Sequence, residues 1–292
     1  MVAPFAPVAS VASRVDYQVM LQVRLGSRRL PRKALLPLGG AVSEADLAFR
    51  PCVLDWVLYH LRQSRRVQRF VLLCPYGDVS TLAPYAERHG FELFGGPEQD
   101  VLERFCCALQ SYPARYCFRA TGDNPLAHGS LSDFMVAQLE RRFRDAPDLY
   151  RIEGLPYGFA VELFRSAALL RLRQPEPGWM LESEDREHVT RFLYRRPQDF
   201  ALRHDSLSEL LGPDFAGLAS LRLTLDTAQD YQFLQQLFVR SQQRGILPSA
   251  PNWGTAEPSV SAGGPGFACF PDLLPALRDI AISLGKIPES PE

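Results

Sequence analysis

Five basic residues fall within ten positions near the start of the chain, directly after an apolar stretch, residues 17–23, that favours a β-strand. They are Arg24, Arg28, Arg29, Arg32 and Lys33. Gly26 and Ser27 mark a loop that can bring backbone N–H groups against an oxyanion. Cations and free amides at the carboxyl end of a buried strand suit a triphosphate, although a solvated basic loop would carry the same charges. The spacing matches neither a Walker A loop nor the dinucleotide-binding G-x-G-x-x-G.

Two aspartates follow later stretches that also favour strands. Asp123 comes after residues 116–120, and Asp226 comes after the alternating residues 221–225. Ligands bind at the carboxyl ends of strands in open α/β sheets. Two carboxylates at such ends, facing a basic loop, are what a Mg²⁺–triphosphate requires. Each aspartate also has a plainer interpretation, because Asp-Asn-Pro forms ordinary turns and Asp226 could cap the helix that follows it.

The elements that must position these groups alternate between strands and helices. Strands are predicted at residues 17–23, 70–74, 92–94, 116–120 and 221–225, with a hairpin at 148–152 and 159–164. Helices are predicted at residues 52–62, 82–88, 131–143, 184–193, 228–243 and 273–284, with another beginning near residue 101. This alternation predicts an α/β fold with a doubly wound, mostly parallel sheet and a small β-hairpin subdomain. In the helix at 131–143, the side chains of Phe134, Leu139 and Phe143 are predicted to be buried.

The amino-acid composition of the chain argues against several classes of protein. With 292 residues, 46% of them hydrophobic, the chain can bury a sizeable core. The net charge of −1 argues against a nucleic-acid binder. The six cysteines form no C-x-x-C pair, which favours reduced thiols in a cytoplasmic protein, with the vicinal Cys106-Cys107 as a redox alternative. No apolar run reaches 18 residues, so no membrane span is predicted.

The basic loop, R-L-G-S-x-R-L-P-x-K, resembles the signature of sugar-activating cytidylyltransferases. The likeness is closest to the SpsF-type spore-coat polysaccharide family, which is related to the CMP-KDO and acylneuraminate synthetases. Five later segments are similar to that family's motifs, in the same order. They are D-V-L-E-R at 100–104, R-A-T-G-D-N-P-L at 119–126, P-Y-G-F-A-V-E-L-F at 156–164, E-D-R-E-H-V-T at 184–190 and R-L-T-L-D at 222–226. The resemblance implies a nucleotide-diphospho-sugar transferase (GT-A-like) domain at 17–243, with an N-terminal extension at 1–16 and a Pro/Gly-rich linker and helix at 244–292.

The resemblance also implies roles for individual residues. Those expected to be catalytic, by stabilising the phosphates and the leaving group, are Arg24, Arg29, Lys33 and Asp123. Nucleotide-binding residues are Gln22, Leu25, Gly26, Ser27, Asp100, Arg119, Thr121 and Gly122, of which Asp100 could equally be only a helix N-cap. Acceptor-binding residues are Glu162, Glu187 and His188. Asp123 and Asp226 are expected to hold Mg²⁺.

The function implied is transfer of CMP from CTP to a sugar or sugar-acid-like acceptor, with release of pyrophosphate, for cell-surface polysaccharide or glycan synthesis. The resemblance further implies a homodimer formed through the hairpin region. Three positions depart from the family pattern: Arg32 replaces a Gly, and His128 and Ala160 each replace an Asp. These departures favour one alternative, a catalytically degenerate relative that only binds a nucleotide or a partner. A GT-A glycosyltransferase is the other, although Asp123-Asn124-Pro125 is not the D-x-D motif that it would need.

Overall fold

The computed structural model of this chain describes residues 12–40, 50–143, 146–248 and 270–286. Most of the predicted N-terminal extension and of the predicted linker at 245–266 lies outside these residues. Among the described residues, no helix is both long and apolar enough to cross a membrane.

A seven-stranded sheet occupies the centre of the structure. Its strands are β1 (Val15–Gln22), β2 (Arg69–Pro75), β3 (Glu92–Gly96), β4 (Ala114–Thr121), β5 (Leu149–Glu153), β6 (Glu162–Arg165) and β7 (Leu202–Ser206). They lie in the order β3-β2-β1-β4-β6-β5-β7. Only β6 runs antiparallel to its neighbours, β4 and β5, so the sheet is mostly parallel as predicted.

The strand order reverses between β1 and β4. From β1 the chain moves outward through β2 to β3, then returns to place β4 on the other side of β1. The loops that leave β1 and β4 therefore diverge and open a crevice at their carboxyl ends, where ligands bind in sheets of this kind. The basic loop follows β1 and the Thr121-Gly122-Asp123 turn follows β4, so both line this crevice.

Helices cover both faces of the sheet, which confirms the doubly wound fold. The helices are α1 (Val53–Leu61), α2 (Val79–Arg88), α3 (Val101–Ser111), α4 (Gly129–Arg142), α5 (Ser166–Arg171), α6 (Ser183–Glu187), α7 (Arg191–Arg195), α8 (Leu207–Leu211), α9 (Ala228–Gln243) and α10 (Phe270–Ser283). Residues of α1, α2, α4, α9 and α10 share one core with Val19 and Leu21 of β1. Residues of α3, α5 and α7 form a second core with Met20. Successive β1 side chains thus alternate between two buried faces, as a central parallel strand requires.

The sequence prediction was wrong at several places. Leu139 of α4 is buried, but Phe134 and Phe143 are only partly buried. The helix expected at 184–193 is broken into α6 and α7, because Val189 adopts a φ of 42°. Positive φ is a genuine outlier for a β-branched residue, and it cannot continue a right-handed helix.

Residues 221–225, predicted as a strand, form an extended segment outside the sheet. The backbone N–H of Tyr157 donates to the carbonyl of Leu221 (3.0 Å), and that of Leu223 donates to the carbonyl of Tyr157 (2.7 Å). The hydrogen-bonding groups of this segment are therefore used by the β5–β6 connection. Gly158, at φ 94°, allows the close approach, since a Cβ there would lie 2.5 Å from the backbone nitrogen of Thr224.

Candidate active site

The basic loop folds back on itself after β1 so that Lys33 points into the crevice. The N–H of Leu25 donates to Oδ2 of Asp78 (2.9 Å), and the N–H of Arg32 donates to the carbonyl of Leu25 (3.2 Å). Arg32 has the left-handed conformation (φ 53°, ψ 28°) and starts the 3₁₀ turn Lys33–Leu35. Such a conformation costs a non-glycine residue about 1–2 kcal/mol. This geometry explains in physical terms why glycine suits the position that Arg32 occupies.

Lys33 joins the two aspartates at the bottom of the crevice. Its Nζ donates to Oδ2 of Asp123 (2.7 Å), to Oδ1 of Asp226 (2.9 Å) and to the carbonyl of Leu225 (2.7 Å). The side chains of Lys33 and Asp226 are each 12% exposed, and that of Asp123 is 26% exposed. The structure therefore brings together three residues that are distant in sequence, although only Asp123 follows a strand of the sheet, as the strand-end argument predicted.

The turn after β4 fixes the position of Asp123. The hydroxyl of Thr121 donates to Oδ1 of Asp123 (2.6 Å), and the N–H of Leu225 donates to its backbone carbonyl (2.9 Å). Gly122 donates its N–H to the carbonyl of Gln22 (2.9 Å), which ties this turn to the end of β1. A Cβ at position 122 would lie 2.6 Å from Cγ2 of Val23, so glycine is needed for this close approach.

Asp226 accepts from two further cations. Arg29 Nη2 lies 2.8 Å from Oδ1, and Arg222 Nη2 lies 2.6 Å from Oδ2. Burial raises the pKa of Asp226, but the hydrogen bond and charge of Lys33, together with the charges of Arg29 and Arg222, lower it below its usual value. Asp226 is therefore a carboxylate at neutral pH. The helix that follows is capped by Thr227 and Asp230, so Asp226 is not its N-cap.

The two carboxylates fit a shared divalent cation. Both Asp123 and Asp226 direct an oxygen at one point, and the ammonium group of Lys33 occupies that point as a cation. Among the described residues, no cluster of three or more His, Cys, Asp or Glu side chains could hold a metal ion. Mg²⁺ is typically bound by one or two carboxylates plus substrate phosphates, rather than by a cage of protein ligands. Two carboxylates beside a phosphate-binding loop match that pattern.

Glu162 lies at the centre of a separate network on the β6 side of the crevice. Its carboxylate accepts from Arg119 Nη1 (2.9 Å), the Thr190 hydroxyl (2.8 Å) and the Tyr194 hydroxyl (2.7 Å). Arg119 Nε also donates to the side chain of Gln22 (3.3 Å). Burial raises the pKa of Glu162, but the Arg119 charge and these hydrogen bonds outweigh it and lower the pKa below its usual range. The residues predicted to bind nucleotide and those predicted to bind acceptor are thus physically connected.

The helix break at Val189 places the remaining candidates at the mouth of the crevice. Glu187 pairs with Arg24 across it (3.3 Å), and both side chains are about half exposed. His188, the last residue before the strained position, is exposed. Asp100 accepts from the N–H of Glu103 (2.9 Å) as the N-cap of α3 and also pairs with Arg186 (2.5 Å). Both uses of Asp100 are structural contacts.

The comparisons with known proteins identify the family. The sequence matches the model of the family described as cytidylyltransferase over residues 18–244. The chain belongs to the cytidylyltransferase family. It is accordingly a CTP-dependent nucleotidyltransferase of the SpsF type, as its motifs predicted.

This cytidylyltransferase is 29% identical to the spore coat polysaccharide biosynthesis protein SpsF of Bacillus subtilis (strain 168) over 234 residues, which cover 78% of this chain and 89% of SpsF. Its fold is similar to that of a cytidylyltransferase from Leptospira borgpetersenii serovar Hardjo-bovis (strain JB197), with a TM-score of 0.69 at 19% identity, covering 95% of this chain and 98% of that one. A structure of CMP:2-keto-3-deoxy-manno-octonic acid synthetase complexed with CTP has a TM-score of 0.55 at 12% identity, covering 78% of this chain and 99% of that one. At these identities the two structures show a shared fold.

One of the departures from the family pattern, His128, has a structural explanation in this cytidylyltransferase. Arg32 keeps the left-handed turn described above, which favours glycine, so this turn does not explain the arginine. His128 is buried and caps α4 by accepting from the N–H of Ser130 (3.2 Å), beside the ring of His60 (5.4 Å between centroids). Burial lowers the pKa of His128 to about 3, so its imidazole is neutral. Ala160, the third departure, is exposed, and no contact of its side chain explains it.

Sequence reasoning missed three residues of the cytidylyltransferase site. Arg222 was interpreted only as part of a strand, although it lies in the same short motif as Asp226. Tyr194 falls beyond the E-D-R-E-H-V-T segment, and the sequence carries no signal for its contact with Glu162. Asp78 holds the basic loop through Leu25, and its position just after β2 is a signal that could have been used.

Proposed function

We propose that this cytidylyltransferase transfers CMP from CTP to a sugar or sugar-acid-like acceptor with the help of Mg²⁺, in the synthesis of a cell-surface polysaccharide or glycan. The observation that carries the proposal is the contact of Lys33 with both Asp123 and Asp226 beneath the basic loop. The name of the SpsF relative supports a role in polysaccharide synthesis, and the CTP complex of the synthetase with a similar fold supports CTP as the nucleotide.

The basic loop would bind the triphosphate. Gly26 would offer its backbone N–H, since that of Ser27 already donates to the carbonyl of Leu25 (3.0 Å), while Arg24, Arg29 and Lys33 would supply positive charge around the β- and γ-phosphates. The acceptor oxygen attacks the α-phosphorus in line with the departing pyrophosphate, so that one P–O bond forms as the other breaks. In such a reaction, the protein contributes positioning and charge neutralisation rather than covalent chemistry.

Asp123 and Asp226 would hold the metal. When bound, Mg²⁺ would reduce the negative charge at the α-phosphorus and on the leaving pyrophosphate. Thr121 and the N–H of Leu225 keep Asp123 oriented for this role, and Arg222 holds the outer oxygen of Asp226. The two carboxylates are thus oriented before the substrates arrive.

The acceptor would enter from the β6 side. Glu187 and His188 are exposed at the mouth and can contact a polar acceptor directly. Glu162 already accepts from Arg119, Thr190 and Tyr194, so we propose that it orients the wall of the acceptor site. Its contribution to acceptor binding would then depend on Arg119 and Thr190 as much as on its own charge.

Pyrophosphate release from CTP and Mg²⁺ tests this function. A panel of sugars, sugar acids and sugar phosphonates is offered as acceptors, and the CMP adduct is identified by mass. The matched control is Asp123→Asn, which keeps the shape of the site but removes a charge. Acceptor-dependent release by the wild type, lost in the variant, supports the proposal. CTP binding without release for any acceptor class would favour a catalytically degenerate relative.

A further inference from the structure

The ammonium group of Lys33 and a divalent cation require the same oxygens. Lys33 Nζ lies 2.7 Å from Asp123 Oδ2 and 2.9 Å from Asp226 Oδ1, at the point where both carboxylates converge. A Mg²⁺ ion bound by those two carboxylates would lie about 2.0–2.1 Å from the oxygens that it uses. It would then be within a few ångströms of the ammonium in a largely buried site, where like charges repel strongly.

We propose that the Lys33 ammonium and the divalent ion are alternative occupants of the point between Asp123 and Asp226, so that the metal binds in step with the nucleotide. This inference rests on the proposed function, because it takes the phosphates of CTP as the anions that draw Lys33 away. Nucleotide binding then removes the competing cation from the carboxylates and brings phosphate oxygens as further metal ligands.

The geometry of the loop allows Lys33 to make this movement. Lys33 is the first residue of the turn Lys33–Leu35, and its flexible stem can move Nζ by several ångströms without a change in the backbone. The exposed side chains of Arg28, Arg29 and Arg32 precede it on the same loop, on the side where phosphates would bind. A triphosphate there would offer Lys33 new oxygen partners in exchange for the carboxylates that it leaves.

Competition between Lys33 and a metal for one position differs from the general electrostatic effect of a positive charge near Asp226. Arg222 provides the comparison, because its Nη2 lies 2.6 Å from Asp226 Oδ2, no farther than Lys33 Nζ lies from Oδ1. Arg222 contacts Asp226 and Asp230 but is not bonded to Asp123. Removing either cation takes one positive charge from Asp226, but only removal of Lys33 frees the point shared with Asp123.

The experiment is a titration of the full chain with Mn²⁺ in the absence of nucleotide, with free Mn²⁺ followed by electron paramagnetic resonance. Carboxylates bind Mn²⁺ and Mg²⁺ alike, so Mn²⁺ is a suitable probe. The wild type, Lys33→Met and the charge-matched control Arg222→Met are compared. We expect the wild type to bind Mn²⁺ weakly. In Lys33→Met the Mn²⁺ affinity should rise about tenfold or more, a change typical of coupled sites. In Arg222→Met the rise in Mn²⁺ affinity should be much smaller.

Three results would overturn the inference: tight Mn²⁺ binding by the wild type alone, no gain in Lys33→Met, or an equal gain in Arg222→Met. Thermal melting checks that each variant is folded. Lys33→Gln, which keeps a hydrogen-bond donor between the carboxylates, replaces Lys33→Met if that variant is unfolded, and its failure to gain affinity counts equally against the inference.

A separate calorimetric titration with CTP distinguishes this inference from the proposed function. If the wild type binds CTP but Lys33→Met gains no Mn²⁺ affinity, the competition is refuted and cytidylyl transfer stands. If Lys33→Met gains Mn²⁺ affinity but the wild type does not bind CTP, the competition stands as a property of the carboxylates, and the proposed function and the role given to CTP fail.

Discussion

We expect the replacement of Asp123 and Asp226 by Asn, singly and together, to affect stability and rate differently. The double variant should lose more stability than the sum of the single losses, but hardly more activity than either single variant. Asp226→Asn removes a charge that accepts from Lys33, Arg29 and Arg222. The side chains of Arg29 and Arg222 are 65% and 45% exposed, so each of these pairs contributes less than about 1 kcal/mol. The side chain of Lys33 is 12% exposed and would keep Asp123 and a carbonyl as partners. We therefore expect each single variant to lose about 1–3 kcal/mol of unfolding free energy.

The double variant leaves the Lys33 ammonium with neutral oxygen acceptors, the carbonyl of Leu225 and the two amide oxygens, and with neither of its two counter-charges. An ammonium that is largely buried without a counter-charge typically costs about 3–5 kcal/mol, so the loss should exceed the sum of the single losses. The rate should behave differently. Each single substitution should reduce turnover about a hundredfold or more. If the carboxylates serve one ion, the double variant should be hardly slower than either single variant.

Urea denaturation measures the unfolding free energies, and pyrophosphate release measures the rates. Near-normal turnover in either single variant would refute the shared metal site and leave Asp123 as a turn residue. Rate losses that multiply in the double variant would show that the two carboxylates act in separate steps.

Three further predictions concern the nucleotide, the assembly and the response to acid. Calorimetric titration with Mg²⁺ present should show tighter binding of CTP than of UTP, ATP or GTP, and tightest binding of a purine nucleotide would contradict the role given to the basic loop. Static light scattering should give about twice the 32.8 kDa monomer mass if the β5–β6 region forms a homodimer, whereas a monomer mass at micromolar concentration would refute this. Burial lowers the pKa of His60 to about 4 and that of His128 to about 3, so the folded chain stays unprotonated there while the unfolded chain takes up protons below about pH 6.5. The unfolding free energy should therefore fall as the pH is lowered from about 6.5 to 4. In His128→Asn, which keeps a helix cap, the slope of unfolding free energy against pH should be smaller by up to about 1.4 kcal/mol per pH unit. An unchanged slope would show that His128 is not responsible.

The sequence predicted those parts of the fold whose signals are local. Helix α9 was predicted at its observed bounds, 228–243, although the cap considered for it was Asp226, whereas the structure shows a capping box formed by Thr227 and Asp230. The approach of Lys33 to Asp123 was predictable because the parallel strands β1 and β4 end at one edge of the sheet. Asp226 reaches the same place from a segment outside the sheet, so its position was predicted from a strand that does not form.

The errors arose where distant contacts override a local pattern. Residues 221–225 alternate like a strand, but Tyr157 and Asp123 take their backbone hydrogen bonds. The break at Val189 has no local cause such as Gly or Pro. It accompanies a network in which the buried Asp185 binds both Arg191 and Arg195, and those partners cannot be read from helical periodicity.

The packing of helix α10 has a consequence for the handling of this enzyme. The family match ends at residue 244, yet α10 completes the same core as α4 and α9. Its N–H at Phe270 donates to the hydroxyl of Ser130 (2.9 Å), and Arg240 donates to the hydroxyl of Ser283 (3.0 Å). Its fully or almost fully buried residues are Phe270, Leu273, Leu274, Leu277, Ile280 and Ala281. A chain shortened to residues 18–244 would expose the apolar surface beneath them, which would promote self-association. The part that folds is therefore longer than the part that the family model matches.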